Sequence, residues 1–203
     1  MTSDWRADRI GSALRGENPT VLRRLAAGFA VIGDVQFLPG YSVLLADDPQ
    51  VERLSDLPKA RRLAFLSDMD ALGEAVEHAC RRLDPAFRRV NLEILGNTDG
   101  FLHAHVWPRF EWEPADLVRM PVWRYPRESW QDERSALAPR HDALRAEIGR
   151  ELDRLVPQDP QDPQVPEVPE VPEVPEVPEV PEVPEVPEVP QDPQDPQDAQ
   201  DRD

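Results

Sequence analysis

The proline spacing of the last quarter of the chain constrains the fold more than any other sequence feature. Proline occurs at every third position from Pro157 to Pro196, and eight consecutive Val-Pro-Glu triplets form the middle of this segment. Each proline removes a backbone hydrogen-bond donor and fixes φ, so neither a helix nor a sheet interior can form there. Collagen shares the period of three but requires glycine at every third position, and this segment has none. We therefore predict a disordered, extended, acidic proline-rich tail over residues 157–203, without tertiary contacts, and a folded domain over residues 1–156.

The acidic charge of the chain belongs mainly to this tail. Fifteen acidic residues and one basic residue in the segment 157–203 carry −14 of the net charge of −17, which leaves −3 on residues 1–156. The predicted domain is therefore close to neutral, and the acidic tail argues against nucleic-acid binding. The sequence identifies no partner for the tail.

Cysteine content and hydropathy indicate the compartment. Cys80 is the single cysteine, so an intrachain disulfide framework is impossible, which suits a reducing environment. The chain has no apolar run of membrane-span length and no apolar signal segment after Met1. We expect a cytoplasmic protein that does not bind membranes.

Hydrophobic periodicity predicts an α+β domain, an antiparallel sheet with a long helix packed on it. The predicted elements, in chain order, are a helix near Trp5–Leu14, a helix after Asn18-Pro19 that stops at Gly28, strands Phe29–Ile32 and Tyr41–Leu45, a helix Pro58–Leu83, strands Arg89–Leu95 and Phe101–Trp107, and a helix Arg140–Leu155. The predicted apolar face of the long helix comprises Leu63, Leu66, Met69, Gly73, Val76, Cys80 and Leu83. His78 and His141 are expected to be solvated.

The strand that begins at Phe101 carries the candidate chemistry. Because side chains alternate along a strand, one face presents Phe101, His103, His105, Trp107 and Arg109, and the opposite face is apolar. Three interpretations of the two imidazoles stay open. They can be structural, they can bind a metal, or one neutral ring can attack phosphorus while the other, protonated, stabilises negative charge. No third histidine or cysteine is placed to complete a metal site, and a carboxylate could complete one, but the spacing does not indicate which. Our prediction names neither a metal nor a cofactor.

This strand and its surroundings resemble the histidine-triad family. The segment Asn91–Arg109 contains Phe-Leu-His-Ala-His-Val-Trp-Pro-Arg, which is similar to the family's His-φ-His-φ-His-φ-φ motif, with φ apolar, followed by Pro-Arg. Upstream, Leu38–Leu45 resembles the family's Pro-Gly-His strand and Leu54–Leu57 resembles its Leu-x-Asp-Leu segment. The order of strands and helix is also similar, and the resemblance covers Phe29–Phe110.

The resemblance implies an enzyme, a hydrolase or nucleotidyl transferase that acts at a nucleotide α-phosphate. Substrates of the family include dinucleoside polyphosphates, such as diadenosine tetraphosphate, and nucleoside phosphoramidates. By position, His103 would be the nucleophile that forms a nucleotidyl-histidine intermediate, and His105 would bind the phosphate oxygens. Asn97 would contact the phosphate or ribose, and Gly33 and Asp34 would cradle the base and ribose.

Two positions depart from the family pattern. Phe101 replaces the first histidine of the motif, which helps to orient the nucleophile in the family, and Tyr41 replaces the histidine of Pro-Gly-His. Tyr41 still offers a hydroxyl group. Tyr41 and Arg109 complete the predicted substrate-binding residues. The departures leave an alternative, a nucleotide-binding module with weak or no catalysis.

The resemblance also predicts a homodimer, with the Pro58–Leu83 helix or the Arg89–Leu95 strand facing the partner subunit. Downstream of the motif, four aromatic residues can either stack on a purine base or close the sheet edge or a dimer interface. They are Trp112, Trp123, Tyr125 and Trp130.

Overall fold

A computed structural model of the chain describes residues 4–156, and the predicted tail lies outside the described residues. The strands are β1 (Val21–Arg24), β2 (Gly28–Ile32), β3 (Ser42–Ala46), β4 (Phe87–Glu93) and β5 (His103–Phe110). The α-helices are α1 (Arg9–Leu14), α2 (Lys59–Leu83), α3 (Arg127–Gln131) and α4 (Asp142–Leu155). Short 3-10 segments are Trp5–Asp8, Leu54–Asp56, Val122–Arg124, Glu133–Ser135 and Pro139–His141.

The strands form one antiparallel sheet in the order β1-β2-β3-β5-β4, which confirms the predicted α+β architecture. Helix α2 packs across β2 to β5, and α4 packs on α2 and β1. Leu44 pairs with Ala104 in neighbouring strands, and both are fully buried. No helix within residues 4–156 combines the length and apolar character that a membrane span needs.

Two glycines permit close packing, Gly40 against Cys80 and Gly33 against Tyr41. Gly40 has a φ of +98°, and a Cβ there would lie 2.6 Å from Sγ of Cys80. A Cβ on Gly33 would lie 2.2 Å from the Tyr41 ring. Cys80 is buried in the core as the sequence predicted, and burial raises the pKa of its thiol to about 12.

The helix predicted after Asn18-Pro19 is wrong, because this segment contains β1. Oδ1 of Asn18 accepts hydrogen bonds from both N and Oγ1 of Thr20, so it closes a local turn instead of capping a helix. The N–H of Leu25 donates to the carbonyl of Gly28 over 2.8 Å, which closes the connection to β2. Pairing with β2 supplies the hydrogen bonds that a helix would otherwise have made internally.

The predicted long helix is confirmed, but the predicted phase of its first half is wrong. Leu63 and Leu66 are 38% and 39% exposed, whereas Phe65 and Leu72 are fully buried. Leu83, at the C-terminal end, is also exposed. The buried face includes the carboxyl group of Asp68, which accepts a 2.6 Å hydrogen bond from the N–H of Ala27. Burial raises the pKa of Asp68 to about 6.

The two histidines outside β5 also differ from the expectation of solvated rings. His141 is buried and its Nδ1 accepts a hydrogen bond from the N–H of Ala138. Burial lowers the pKa of His141. His78 is partly buried, with Nδ1 3.3 Å from Oε2 of Glu151 on α4. His78 therefore helps to attach the last helix to α2, and His141 closes the local turn before that helix.

Candidate functional site

A cavity of about 430 Å³ lies on the sheet face opposite α2, and we call it the site cavity. Its floor consists of side chains that alternate to this face on three adjacent strands: Val31, Val43, Leu45, His103 and His105. Its walls include Arg9, Gly33, Asp34, Tyr41, Thr98, Asp99, Phe101, Trp123 and Trp130. The strand alternation read from the sequence therefore brings both imidazoles into one largely apolar cavity.

The orientation of His103 is set by the main chain. Its Nδ1 lies 2.8 Å from the carbonyl oxygen of Phe101, and a carbonyl oxygen can only accept. The Nδ1 atom must therefore carry the proton. In the neutral ring Nε2 then keeps its lone pair, which is the form that a nucleophilic or basic imidazole requires.

The orientation of His105 is set by Tyr41. The Tyr41 hydroxyl lies 2.8 Å from Nδ1 of His105, and the two atoms form a hydrogen bond. Burial raises the pKa of Tyr41, so its hydroxyl stays protonated and donates a hydrogen bond to Nδ1. This bond places the His105 proton on Nε2, which becomes a donor.

His105 is neutral near pH 7. Burial, and then the neighbouring His103 ring, lower the pKa of His105 to about 4. The two ring centroids are 4.8 Å apart, and the planes are nearly perpendicular at 84°. One of the three interpretations of the imidazole pair required a protonated ring, whereas His105 is neutral and presents an Nε2–H donor beside Nε2 of His103.

Tyr41 is itself held firmly in place. Its ring stacks on the buried Trp107 with a centroid distance of 3.5 Å and an interplanar angle of 6°. The Tyr41 ring also packs directly against Gly33, where a side chain would collide with it. The tyrosine hydroxyl is thus a fixed hydrogen-bonding group.

An ion pair from the N-terminal segment forms part of the cavity wall. The Arg9 guanidinium donates to both carboxylate oxygens of Asp34, at 3.3 and 2.8 Å, and Nε of Arg6 lies 3.5 Å from Oδ2. Asp34 is a predicted site residue, whereas Arg9 is not among the residues predicted from the sequence. No local motif marks this arginine, because its partner lies 25 positions away.

The structure brings five of the seven predicted site residues to the site cavity and leaves two outside it. The five are Gly33, Asp34, Tyr41, His103 and His105. Asn97 is exposed and does not line the cavity, where Thr98 and Asp99 of the same loop do. Arg109 is the second residue outside it.

Arg109 lies on the predicted face of β5, but its side chain has a structural role. Its guanidinium is buried against the carboxylate of Glu113, with Nε–Oε2 at 2.9 Å. It also donates to the carbonyl oxygens of Leu117, Val118 and Met120. The prediction that Arg109 binds substrate is therefore wrong. Glu113, four residues further along the chain, neutralises the guanidinium that was predicted to bind phosphate.

The four downstream aromatic residues divide into two pairs. Trp123 and Trp130 line the site cavity and stack on one another with centroids 5.4 Å apart. Trp123 also meets His105 edge-on at 5.2 Å. Trp112 instead donates to Asp84, and Tyr125 donates to Glu113.

The metal interpretation lacks a third ligand in this arrangement. Within residues 4–156, no group of three histidine, cysteine or acidic side chains converges closely enough to hold a metal ion. The Nδ1 atoms of His103 and His105 are hydrogen-bonded inside the protein.

The fold is that of the histidine-triad proteins. A histidine triad protein from Marinobacter aquaeolei VT8 matches with a TM-score of 0.52 and 19% identity, over 66% of this chain and 89% of that chain. A hypothetical histidine triad nucleotide-binding protein from Sulfolobus tokodaii strain 7 matches with a TM-score of 0.54 and 12% identity, over 72% of this chain and 93% of that chain. No protein-family model and no curated protein matches the sequence.

Proposed function

We propose that this protein is a hydrolase or nucleotidyl transferase that acts at the α-phosphate of a nucleotide, such as a dinucleoside polyphosphate, through a nucleotidyl-His103 intermediate. The observation that carries the proposal is the hydrogen bond from Nδ1 of His103 to the Phe101 carbonyl, which leaves the Nε2 lone pair available in the site cavity. The name of the Sulfolobus neighbour, a nucleotide-binding protein, agrees with the substrate class.

The first chemical step is a displacement at phosphorus. The Nε2 lone pair of His103 forms the N–P bond while the bond from the α-phosphorus to the bridging oxygen breaks, and the leaving polyphosphate departs with that electron pair. The imidazolium that results is stabilised because its Nδ1–H already donates to the Phe101 carbonyl.

The second step returns the enzyme to its starting state. Water attacks the nucleotidyl phosphorus, the N–P bond breaks, and its electron pair returns to Nε2 of His103. The water proton leaves to solvent or to the phosphate product. In both steps the Nε2–H of His105 donates to a phosphate oxygen, where negative charge increases in the transition state. The Tyr41 hydroxyl keeps that proton on Nε2.

Two features of the cavity walls support nucleoside binding. The stacked pair Trp123 and Trp130 offers aromatic surface to a base. The Asp34 carboxylate, oriented by Arg9, offers oxygen acceptors to ribose hydroxyl groups.

The test is direct detection of the covalent intermediate. The protein is mixed with diadenosine tetraphosphate, sampled within one turnover, kept at neutral to alkaline pH to protect the N–P bond, and analysed by mass spectrometry with peptide mapping. We expect a nucleotidyl adduct on His103, and none in the His103→Ala variant, whose nucleotide binding should remain. Product formation without an adduct on His103 would contradict the proposed mechanism.

A second candidate function is a nucleotide-binding module with weak or no catalysis. It is favoured by the Phe101 ring, whose centroid lies 5.2 Å from that of His103 and which offers it no side-chain hydrogen bond. Tight nucleotide binding without product or adduct, in protein at high concentration, would select this candidate.

A further inference from the structure

A second cavity, of about 420 Å³, lies beside β4, and we call it the arginine cavity. Its charged lining is Arg88, Arg89, Glu93, Arg109 and Arg119. The strand register connects it to the site cavity, because Glu93 pairs with His105 and Arg89 pairs with Arg109. The two cavities therefore share one face of the sheet.

The arginine cavity has positive charge to offer a ligand. Arg109 is neutralised by Glu113, and Nε of Arg88 lies 3.0 Å from Oε1 of Glu111. Arg89 and Arg119 are exposed and make no ion pair within residues 4–156. Two uncommitted guanidinium groups at one concave surface favour a multiply charged anion.

A single side chain stands at the boundary between the two cavities. Trp123 lines the site cavity and meets His105 edge-on, and its indole N–H donates to Oε2 of Glu93 over 3.1 Å. Glu93 is the one acidic residue that lines the arginine cavity within the described chain. The indole holds this carboxylate at the boundary, beside the imidazole pair.

We propose that the arginine cavity binds the phosphate chain of the leaving group. The inference rests on the proposed function, because it places the α-phosphorus at His103 and directs the leaving phosphates across Trp123 along the same sheet face. Arg109, which pairs with Arg89, lies four residues from His105 on β5, a distance of roughly 13 Å along the strand. A chain of several phosphates spans such a distance and a single phosphate does not. The site then prefers a polyphosphate leaving group to a neutral amine.

The kinetic test compares two substrates that share the transferred nucleotide. One is diadenosine tetraphosphate and the other is an adenosine phosphoramidate with a neutral amine leaving group. The Arg89→Gln/Arg119→Gln variant should lose about tenfold or more in kcat/KM for the tetraphosphate and less than about twofold for the phosphoramidate. The matched control, Arg53→Gln/Lys59→Gln, removes the same charge from residues that line neither cavity, and should change both values less than about twofold. An equal loss for both substrates, or no loss, overturns the proposal.

A binding test separates this inference from the proposed function. Inorganic triphosphate is titrated into full-length His103→Ala protein by calorimetry, with and without the two arginine substitutions. We expect Arg89→Gln/Arg119→Gln to weaken triphosphate binding by about tenfold or more, and Arg53→Gln/Lys59→Gln to weaken it far less. If no substrate is turned over, the proposed function fails, yet the same titration still decides the anion site. Triphosphate binding that is absent, or unaffected by the arginine pair, overturns it.

Discussion

The Tyr41 hydroxyl lies 2.8 Å from Nδ1 of His105, across 64 positions of sequence, and it determines which imidazole nitrogen carries the proton. In the family pattern that the sequence resembles, the Tyr41 position belongs to a histidine. A phenol that donates to Nδ1 supplies the same kind of support, so this departure preserves the donor at Nε2 of His105.

Replacement of Tyr41 by phenylalanine tests this relationship. Tyr41→Phe keeps the ring stacked on Trp107 but removes the hydroxyl, so we expect kcat/KM to fall by about 2- to 10-fold, the value of one lost hydrogen bond. NMR of the ring nitrogens should show a mixture of His105 tautomers. An unchanged rate together with an unchanged tautomer would show that the phenol has no such role.

The two imidazoles should respond differently to truncation. His103→Ala removes the nucleophile, so turnover should fall by several orders of magnitude, on the order of 10⁴ or more, while nucleotide binding survives. His105→Ala removes one donor to the phosphate, and a loss of about 10²–10³ in kcat is expected. Steady-state rates with binding measured by calorimetry separate the two. Equal losses would mean that the nucleophile has been misassigned.

A histidine at position 101, as in the motif that the sequence resembles, should change the rate little. The group that orients His103 is the main-chain carbonyl of residue 101, which any side chain provides. Phe101→His should therefore alter kcat/KM by less than about tenfold. Phe101→Leu is the control for the loss of the aromatic ring. A gain of two orders of magnitude in Phe101→His alone would show that the side chain at position 101, and not the carbonyl, limits the rate.

Burial of neutral His105 should make the folded state sensitive to acid. The pKa of His105 is about 4 in the folded protein against 6.5 for a free imidazole, so between these values the unfolded chain binds the proton first. Its contribution to the free energy of unfolding is complete above about pH 6.5 and is lost as the pH falls towards 4. Urea unfolding at several pH values should show a smaller loss on acidification in His105→Gln than in the unsubstituted protein.

Asp68 provides a control of opposite sign for that experiment. Its pKa is about 6 when folded against 3.8 for a free carboxyl group, so the folded state holds the proton more tightly. Its contribution is present below about pH 3.8 and is lost as the pH rises to 6. Asp68→Asn keeps an oxygen acceptor for the N–H of Ala27 and should lose less stability than the unsubstituted protein over that rise.

Self-association is expected through the β4 edge. β4 ends the sheet, Leu92 on it is 40% exposed, and Leu66 on the adjacent α2 is 39% exposed. An edge strand that is unpaired within residues 4–156, beside exposed leucines, is suited to a second copy of the chain. Sedimentation equilibrium should give a dimer, and Leu92→Arg should shift it to monomer, while Leu14→Arg, on an exposed leucine of α1, should not. A monomer at all concentrations would refute the expectation.

Strand alternation in β5 was predictable because it follows from backbone geometry alone. It placed His103, His105 and Arg109 on one face correctly. It could not show that Glu113 would bind Arg109, because the chain turns directly after β5. It also could not show that Arg9 would reach Asp34, because that contact depends on the packing of segments 25 positions apart.

The two errors in secondary structure have local causes. Residues 63–66 of α2 are all apolar, so a helical period fits with either Leu63 or Phe65 facing the core, and only packing on the sheet selects Phe65. In the segment before Gly28, Asn18-Pro19 resembles a helix start. The segment forms strand β1 instead, because β2 follows after a short turn and forms backbone hydrogen bonds with it.

The stacked indoles of Trp123 and Trp130 are intrinsic fluorophores in the wall of the site cavity. Trp123 is 42% exposed and touches His105 edge-on, so an occupant would displace water from one fluorophore and alter the coupling within the pair. Emission intensity and near-ultraviolet circular dichroism should then register occupancy of the cavity without any attached dye. Trp112 stands on Phe110 well outside it and supplies a constant background signal in the same spectrum.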